Sequence, residues 1–279
     1  MASTPQARAP ISPNVFGPDS PGSQVVFPKA RSLAPRRRPK ARRRGFRLRI
    51  RWLEEQFAWR LGTEYHDRAF GRWSVDPVTE PNASDFTLSE DPFALFARWF
   101  AEARATEIND PEAMTLATVD PGGLPDARMV LCKQADADGL VFFTNIESAK
   151  GRELAATPKA AALFHWKSLR RQARFRGAVA MLDEAAADAY FRTRHPQSRI
   201  GAWASQQSRP LESRQRLEEL VVDYSARFGE GEIPRPPYWR GYRLAPEQIE
   251  FWQNGDFRLH DRVAFARAGD VWRRQRLFP

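Results

Sequence analysis

The sequence predicts a mainly β protein, an antiparallel barrel with helices at its periphery. Three observations predict it. Short strand-like runs follow one another from residue 114 onward, and Gly, Pro and Asp clusters separate them as tight turns. The helical patterns come late and do not alternate with the strands, as a parallel doubly wound sheet would require.

In chain order, Asp91-Pro92 suits a helix start, with Asp as N-cap and Pro in the first turn. Phe93, Phe96, Trp99 and Phe100 then mark one helical face. Four strand-like runs follow at Met114–Val119, Arg128–Lys133, Gly139–Asn145 and Ala160–Trp166. Pro121-Gly122-Gly123 and Asp136-Ala137-Asp138-Gly139 supply the turns between the first three. A fifth run, Gln172–Leu182, continues the sheet. Residues 183–194 are Ala-rich and helical in pattern. Pro210–Phe228 reads as a longer helix with Leu217, Leu220, Val221 and Tyr224 on one side. Residues 241–279 return to strands, the last pair turned at Ala268-Gly269-Asp270.

Ahead of this body the chain changes character. Residues 1–52 carry 13 Lys and Arg against a single acid, Asp19, while the remainder holds 31 basic and 33 acidic residues. The formal charge of +10 therefore belongs to one end, and it implies no nucleic-acid partner for the body. Residues 1–72 are expected to be a disordered basic extension, with a short helix around Trp52–Leu61, and 73–90 a linker to the folded domain at 91–279. The run Arg36–Arg44 suits nucleic acid, an anionic membrane or a targeting signal. A solvated tail is the simplest reading, and organelle import stays open. No apolar run reaches the length of about 18 residues that a membrane span needs, and a cytoplasmic location is expected. One cysteine, Cys132, excludes an intrachain disulfide and a cysteine-rich zinc site.

P-loop, Rossmann, zincin and nucleophile-elbow motifs are absent, and the four His are scattered, so no metal is expected. There remains a set of cations with hydroxyl and amide donors, the groups that bind phosphate monoesters. Arg128 and Lys133 bracket an apolar run. Thr144-Asn145 end a strand, and Ser148-Ala149-Lys150 open the next segment. Arg171-Gln172 begin another strand. Tyr190, Arg194 and Ser198 recur at spacings of four, and Gln207-Ser208 come after Ile200–Ser205. Near the end, the aromatic pair Phe251-Trp252 precedes alternating Arg258, His260 and Arg262. On a strand these three would share one face, and an anionic ligand would explain such crowding.

Three blocks stand at related spacing: Arg-Met-Val-Leu-Cys-Lys at 128–133, Ile-Gly-Ala-Trp-Ala-Ser at 200–205 with Gln207-Ser208, and Arg-Leu-His-Asp-Arg at 258–262. Through them the chain resembles the pyridoxamine 5'-phosphate oxidases, over about residues 86–279. The resemblance implies an FMN-binding split β-barrel working as a homodimer, with flavin at the subunit interface. FMN contacts would be Arg128, Met129, Lys133, Phe143, Thr144, Lys150, Gln172, Gln207, Ser208, Trp252 and Arg262. Substrate contacts would be Lys133, Tyr190, Arg194, Ser198, Arg258 and His260, the last two catalytic. The implied reaction oxidises pyridoxamine 5'-phosphate or pyridoxine 5'-phosphate to pyridoxal 5'-phosphate with O2 as acceptor. The alternatives are another split-barrel flavin oxidoreductase, or a non-catalytic FMN or pyridoxal-phosphate binder. Phe143 stands where the family often has Tyr, Ala149 replaces a frequent basic residue, His195-Pro196-Gln197 alters the segment before Ser198, and Arg240 and Asn254 replace small residues.

Overall fold

A computed structural model describes residues 85–279. The expected basic extension, its helix and most of the linker lie outside the described residues. The described chain opens with a 3-10 turn at Phe86–Leu88, and Phe86 packs on Trp99 with ring centroids 4.9 Å apart. The end of the stretch read as a linker is thus packed on the body.

Helix α1 spans Pro92–Thr106. Its start is the one expected: the Asp91 carboxylate accepts the amides of Phe93 at 2.8 Å and Ala94 at 3.2 Å. The face bearing Phe93, Phe96, Trp99 and Phe100 is buried. Phe96 meets Phe164, Trp166 and Phe175 at centroid distances of 5.1, 5.9 and 5.0 Å. Emptying such a site by Phe→Ala costs about 3–5 kcal/mol, so this helix holds the barrel core together.

The strands are β1 (Ala113–Val119), β2 (Pro125–Leu131), β3 (Gln134–Asp136), β4 (Gly139–Asn145), β5 (Lys159–Trp166), β6 (Arg171–Met181), β7 (Trp239–Gln253), β8 (Asp261–Ala268) and β9 (Val271–Leu277). The remaining helices are α2 (Ala149–Ala156), α3 (Glu184–Thr193), α4 (Pro196–Ala204) and α5 (Arg214–Phe228). The sheet runs β2-β1-β5-β6-β7-β4-β3, with β8 added to β7 and β9 to β8, and every pairing is antiparallel. The long strand β7 pairs β6 along its length, β4 through its first half and β8 through its second. That double use curls the sheet into a half-barrel. A bulge at Arg176/Gly177 bends β6, where a Cβ on Gly177 would lie 2.0 Å from the Ala245 carbonyl oxygen. The chain leaves β2 through Cys132-Lys133, where the Lys133 amide donates to Val141 O at 2.8 Å.

Two expectations change. The run Arg128–Lys133 is not one strand: β2 begins at Pro125 and ends at Leu131, so Lys133 sits on the crossing into β3. The alternation Arg258, His260, Arg262 does not lie on a strand either. Asp256–Arg258 forms a 3-10 turn, Phe257 and Arg258 are left-handed (φ 54° and 65°), and only Arg262 belongs to β8. Gly255 is the cause. A Cβ there would lie 2.0 Å from Leu259 O, so its bareness lets the chain fold back on itself. The Gly255 amide then donates to His260 Nδ1 at 3.2 Å and closes the loop.

Candidate active site

Strand β4 presents neighbouring residues to opposite sides. Thr144 faces inward like Phe142, and Phe143 faces outward. Each side carries its own group of polar donors.

On the inner side, α2 is capped by Ser148, whose hydroxyl accepts the Gly151 amide at 3.3 Å. A Cβ on Gly151 would lie 2.2 Å from Ile146 O, so the tight entry into α2 requires glycine. One residue earlier, Lys150 is buried, and its ammonium lies 3.1 Å from Gln207 Oε1 and 3.4 Å from both Thr144 Oγ1 and Ser148 Oγ. Thr144 also donates to Gln207 at 3.2 Å. Burial lowers the Lys150 pKa below 10.5, nearby Arg128 adds to this, and Glu153 opposes it. Arg128 reaches Thr118 and Asp126 and meets Glu153 at 3.1 Å. Two cations and a buried carboxylate therefore share this corner. Ser208, left-handed at φ 69°, comes next on the exposed loop. Met129 is 61% exposed on β2, with the Thr115 hydroxyl 3.3 Å from its sulfur.

On the outer side, the Phe143 ring stacks on Tyr190 at 4.2 Å and on Trp239 at 5.1 Å. Gly241 makes room for it, since a Cβ there would come within 2.7 Å of Phe143 Cε1. The Arg194 guanidinium lies over Trp239 at 5.0 Å and Phe191 at 5.6 Å. Rings, not acceptors, hold it, and its Nη1 is buried with no hydrogen-bond partner among the described residues. Burial lowers the Arg194 pKa and pushes the Tyr190 hydroxyl up to about 12, so Tyr190 stays a neutral donor. Lys133 stands close by, 3.8 Å from Glu112, its pKa lowered by burial, against the opposing pull of Glu112 and with a smaller push from Arg194. Tyr190 lies on α3, Arg194 caps its end, and Ser198 occupies the first turn of α4, half-buried. The spacing of four is thus split between two helices, and the break falls at His195-Pro196, where His195 Nδ1 accepts the Gln197 amide at 3.2 Å.

A third group occupies the outer face of β5–β8. Gln172, Trp252 and Arg262 fall in one row of the register and line a cleft of about 270 Å³ with Arg174, Glu250 and the C-terminal Pro279. His260 lies against Trp252, ring centroids 4.7 Å apart. Arg258 is exposed on the loop that joins β7 to β8.

Within one chain, Lys150, Thr144 and Gln207 are thus joined on one side of β4, Phe143 and Tyr190 on the other, and Gln172, Trp252, Arg262 and His260 at the cleft, three groups rather than one pocket. Sequence reasoning missed the residues that hold them, namely Glu153, Trp239, Glu250 and Arg174. Trp239 and Glu250 could have been found from spacing, because each stands an even number of residues from Trp252 or Gly241 on the same strand. The donor chemistry fits a flavin mononucleotide: cations and hydroxyls suit its phosphate, and the amide and indole groups of the cleft suit a flat, polar-edged ring.

Comparison with known proteins settles the family. The family described as "Pyridoxamine 5'-phosphate oxidase" matches residues 100–253. The chain belongs to the pyridoxamine 5'-phosphate oxidase family. The pyridoxine 5'-phosphate oxidase C-terminal dimerisation region matches residues 239–279, which cover β7 to β9 and point to a homodimer. The chain is 57% identical over 208 residues to the pyridoxine/pyridoxamine 5'-phosphate oxidase of Rhodopseudomonas palustris (strain BisB5), covering 74% of this chain and 98% of that one. It is 58% identical over 208 residues to the same oxidase of Azorhizobium caulinodans, with the same coverage. Among solved structures it is similar to PhzG from Burkholderia lata 383 in complex with tetrahydrophenazine-1-carboxylic acid. That match has a TM-score of 0.65 and 32% identity, over 69% of this chain and 94% of that one. An FMN-binding, pyridoxamine 5'-phosphate oxidase-related protein of Nostoc punctiforme shares the fold, with a TM-score of 0.55 and 20% identity over 68% and 99% of the chains. The protein is thus a pyridoxamine 5'-phosphate oxidase-family oxidoreductase with the family's split barrel, and membership points to flavin binding. Among the described residues no helix is long and apolar enough to cross a membrane.

Proposed function

We propose that this protein binds FMN between two copies of the chain and oxidises pyridoxamine 5'-phosphate, and pyridoxine 5'-phosphate, to pyridoxal 5'-phosphate. The observation that carries this is the pair of phosphate-suited groups on opposite sides of β4. One phosphate belongs to the cofactor and one to the substrate. Arg128, Lys150, Thr144, Gln207 and Ser208 would take the FMN phosphate, with Met129 along the approach, and Phe143, on the opposite side of β4, would meet the cofactor where it nears the substrate group. Gln172, Trp252 and Arg262 would meet the ring from the other subunit, which explains why one chain keeps them in a separate cleft. The dimerisation region supports that division.

Lys133, Tyr190, Arg194 and Ser198 would hold the substrate phosphate. Arg194 suits the task because its guanidinium rests on the Trp239 ring and its Nη1 meets no acceptor among the described residues. Arg258 and His260 would lie over the reacting carbon, Arg258 placing the pyridine ring and favouring proton loss, and His260 orienting the substrate by a hydrogen bond. Bound FMN would supply the two-electron acceptor and return those electrons to O2. The amine substrate then consumes O2 and water and yields the aldehyde, ammonia and H2O2, while the alcohol yields the aldehyde and H2O2.

The test is peroxide release from the FMN-loaded protein on adding pyridoxamine 5'-phosphate. Stoichiometric peroxide and pyridoxal 5'-phosphate are expected. A flavin-loaded protein that releases none with either phosphate ester would instead favour another split-barrel oxidoreductase.

A further inference from the structure

We propose that Glu250 is a positioning residue of the flavin site, acting through Arg262. The proposal rests on the reading that Arg262 contacts the flavin. On the outer face of the sheet the register aligns Leu163, Arg174, Glu250 and Ala264 across β5 to β8, one step from the row of Gln172, Trp252 and Arg262. Glu250 therefore sits diagonally opposite Arg262 and directly opposite Arg174, with all three side chains on the cleft side.

The Glu250 side chain is only 12% exposed. A carboxylate so covered is stable only when its oxygens are met by donors. Its Oε1 accepts both Nε and Nη2 of Arg262, at 2.9 and 2.8 Å, and its Oε2 accepts Arg174 Nη2. The remaining Arg262 nitrogen, Nη1, donates to the Phe278 carbonyl oxygen at 2.8 Å. All three nitrogens of the guanidinium are thus tied to protein, and its plane is fixed beside Trp252. Two guanidiniums thus share the one side-chain carboxylate of the cleft. Without Glu250, Arg262 would keep one tether and face Arg174 with no counter-charge between them.

The experiment is a double-mutant cycle on the full-length chain, read as FMN affinity from flavin fluorescence quenching during reconstitution, with melting temperatures recorded alongside. Glu250→Gln is expected to weaken FMN binding about tenfold, the scale of one charge-assisted contact. Arg262→Ala is expected to weaken it at least as much, and adding Glu250→Gln to Arg262→Ala should change nothing further. Glu250→Asp, which keeps the charge and shortens the reach, should fall between wild type and Glu250→Gln, and it carries the same cycle if Glu250→Gln does not fold. A merely structural Glu250 would give losses that multiply in the double variant, and that result overturns the proposal, as does wild-type affinity in Glu250→Gln. If Arg262→Ala itself binds FMN like wild type, the placement of Arg262 at the flavin fails first, and the proposal with it.

Discussion

Lys150 Nζ lies 3.1 Å from the amide oxygen of Gln207, a residue 57 positions later in the chain. A buried lysine on α2 and an exposed loop after α4 thereby share one corner with Thr144. Replacing Lys150 by Ala should weaken FMN binding by about 1.5–3 kcal/mol, or roughly 10–150-fold in Kd. Gln207→Ala should cost less, because it removes a neutral partner. Flavin titration of the two variants checks the order, and equal affinity in Lys150→Ala and wild type would remove this corner from the flavin site.

The same lysine should set an alkaline limit on binding. Burial holds its pKa below 10.5 and Arg128 lowers it further. The charged form attracts phosphate, so affinity is full below the folded-state pKa and falls as pH rises through it. The stability effect in the flavin-free protein has the opposite sign. With the folded pKa below the unfolded one, this group's contribution improves as pH climbs from the folded value toward 10.5. Lys150→Arg, whose guanidinium keeps its charge, should shift the loss of FMN binding to higher pH. Identical pH profiles for the two proteins would speak against it.

Arg194 and Arg258 should separate in kinetics. Arg194→Ala removes a charge-assisted phosphate contact and should raise KM roughly 10–150-fold with a smaller change in kcat. Arg258→Ala should lower kcat with FMN still bound. Turnover of pyridoxamine 5'-phosphate by Arg258→Ala at the wild-type rate would show that Arg258 takes no part in the chemistry.

Cys132 should be chemically silent in the native protein. Burial pushes its thiol up to about 12, and the thiolate is the reactive form. A thiol reagent should label it only after unfolding. Rapid labelling of the native protein would mean that the crossing from β2 to β3 opens readily.

Removing residues 1–72 should leave flavin binding and oxidase activity largely intact, because that segment's composition cannot build a core. The check compares peroxide release by the truncated and full-length proteins. A flavin-loaded truncation with most activity lost would assign part of the site to the extension.

What the sequence determined by itself was local. Period-two runs with Gly and Pro turns placed β1, β4, β5, β6 and the final hairpin, and Asp91-Pro92 placed the start of α1. These signals survive because alternation, capping and turn conformations depend on residues a few positions apart. The resemblance added the phosphate-suited residues, among which the fold brings Lys150 beside Thr144 and Gln207, and Tyr190 beside Phe143. Only the tertiary structure decided how they divide. Thr144 and Phe143 serve opposite sides of one strand, and the cation of Arg194 rests on the Trp239 ring of β7, far along the chain. Glu250 locks Arg262 through a register no local pattern encodes. The stretch from Arg258 to Arg262 shows the limit most directly. Its alternation is that of a strand, yet Arg258 to His260 fold as a loop before β8 begins at Asp261, because the bare Cα of Gly255 admits the Leu259 carbonyl where a Cβ would clash.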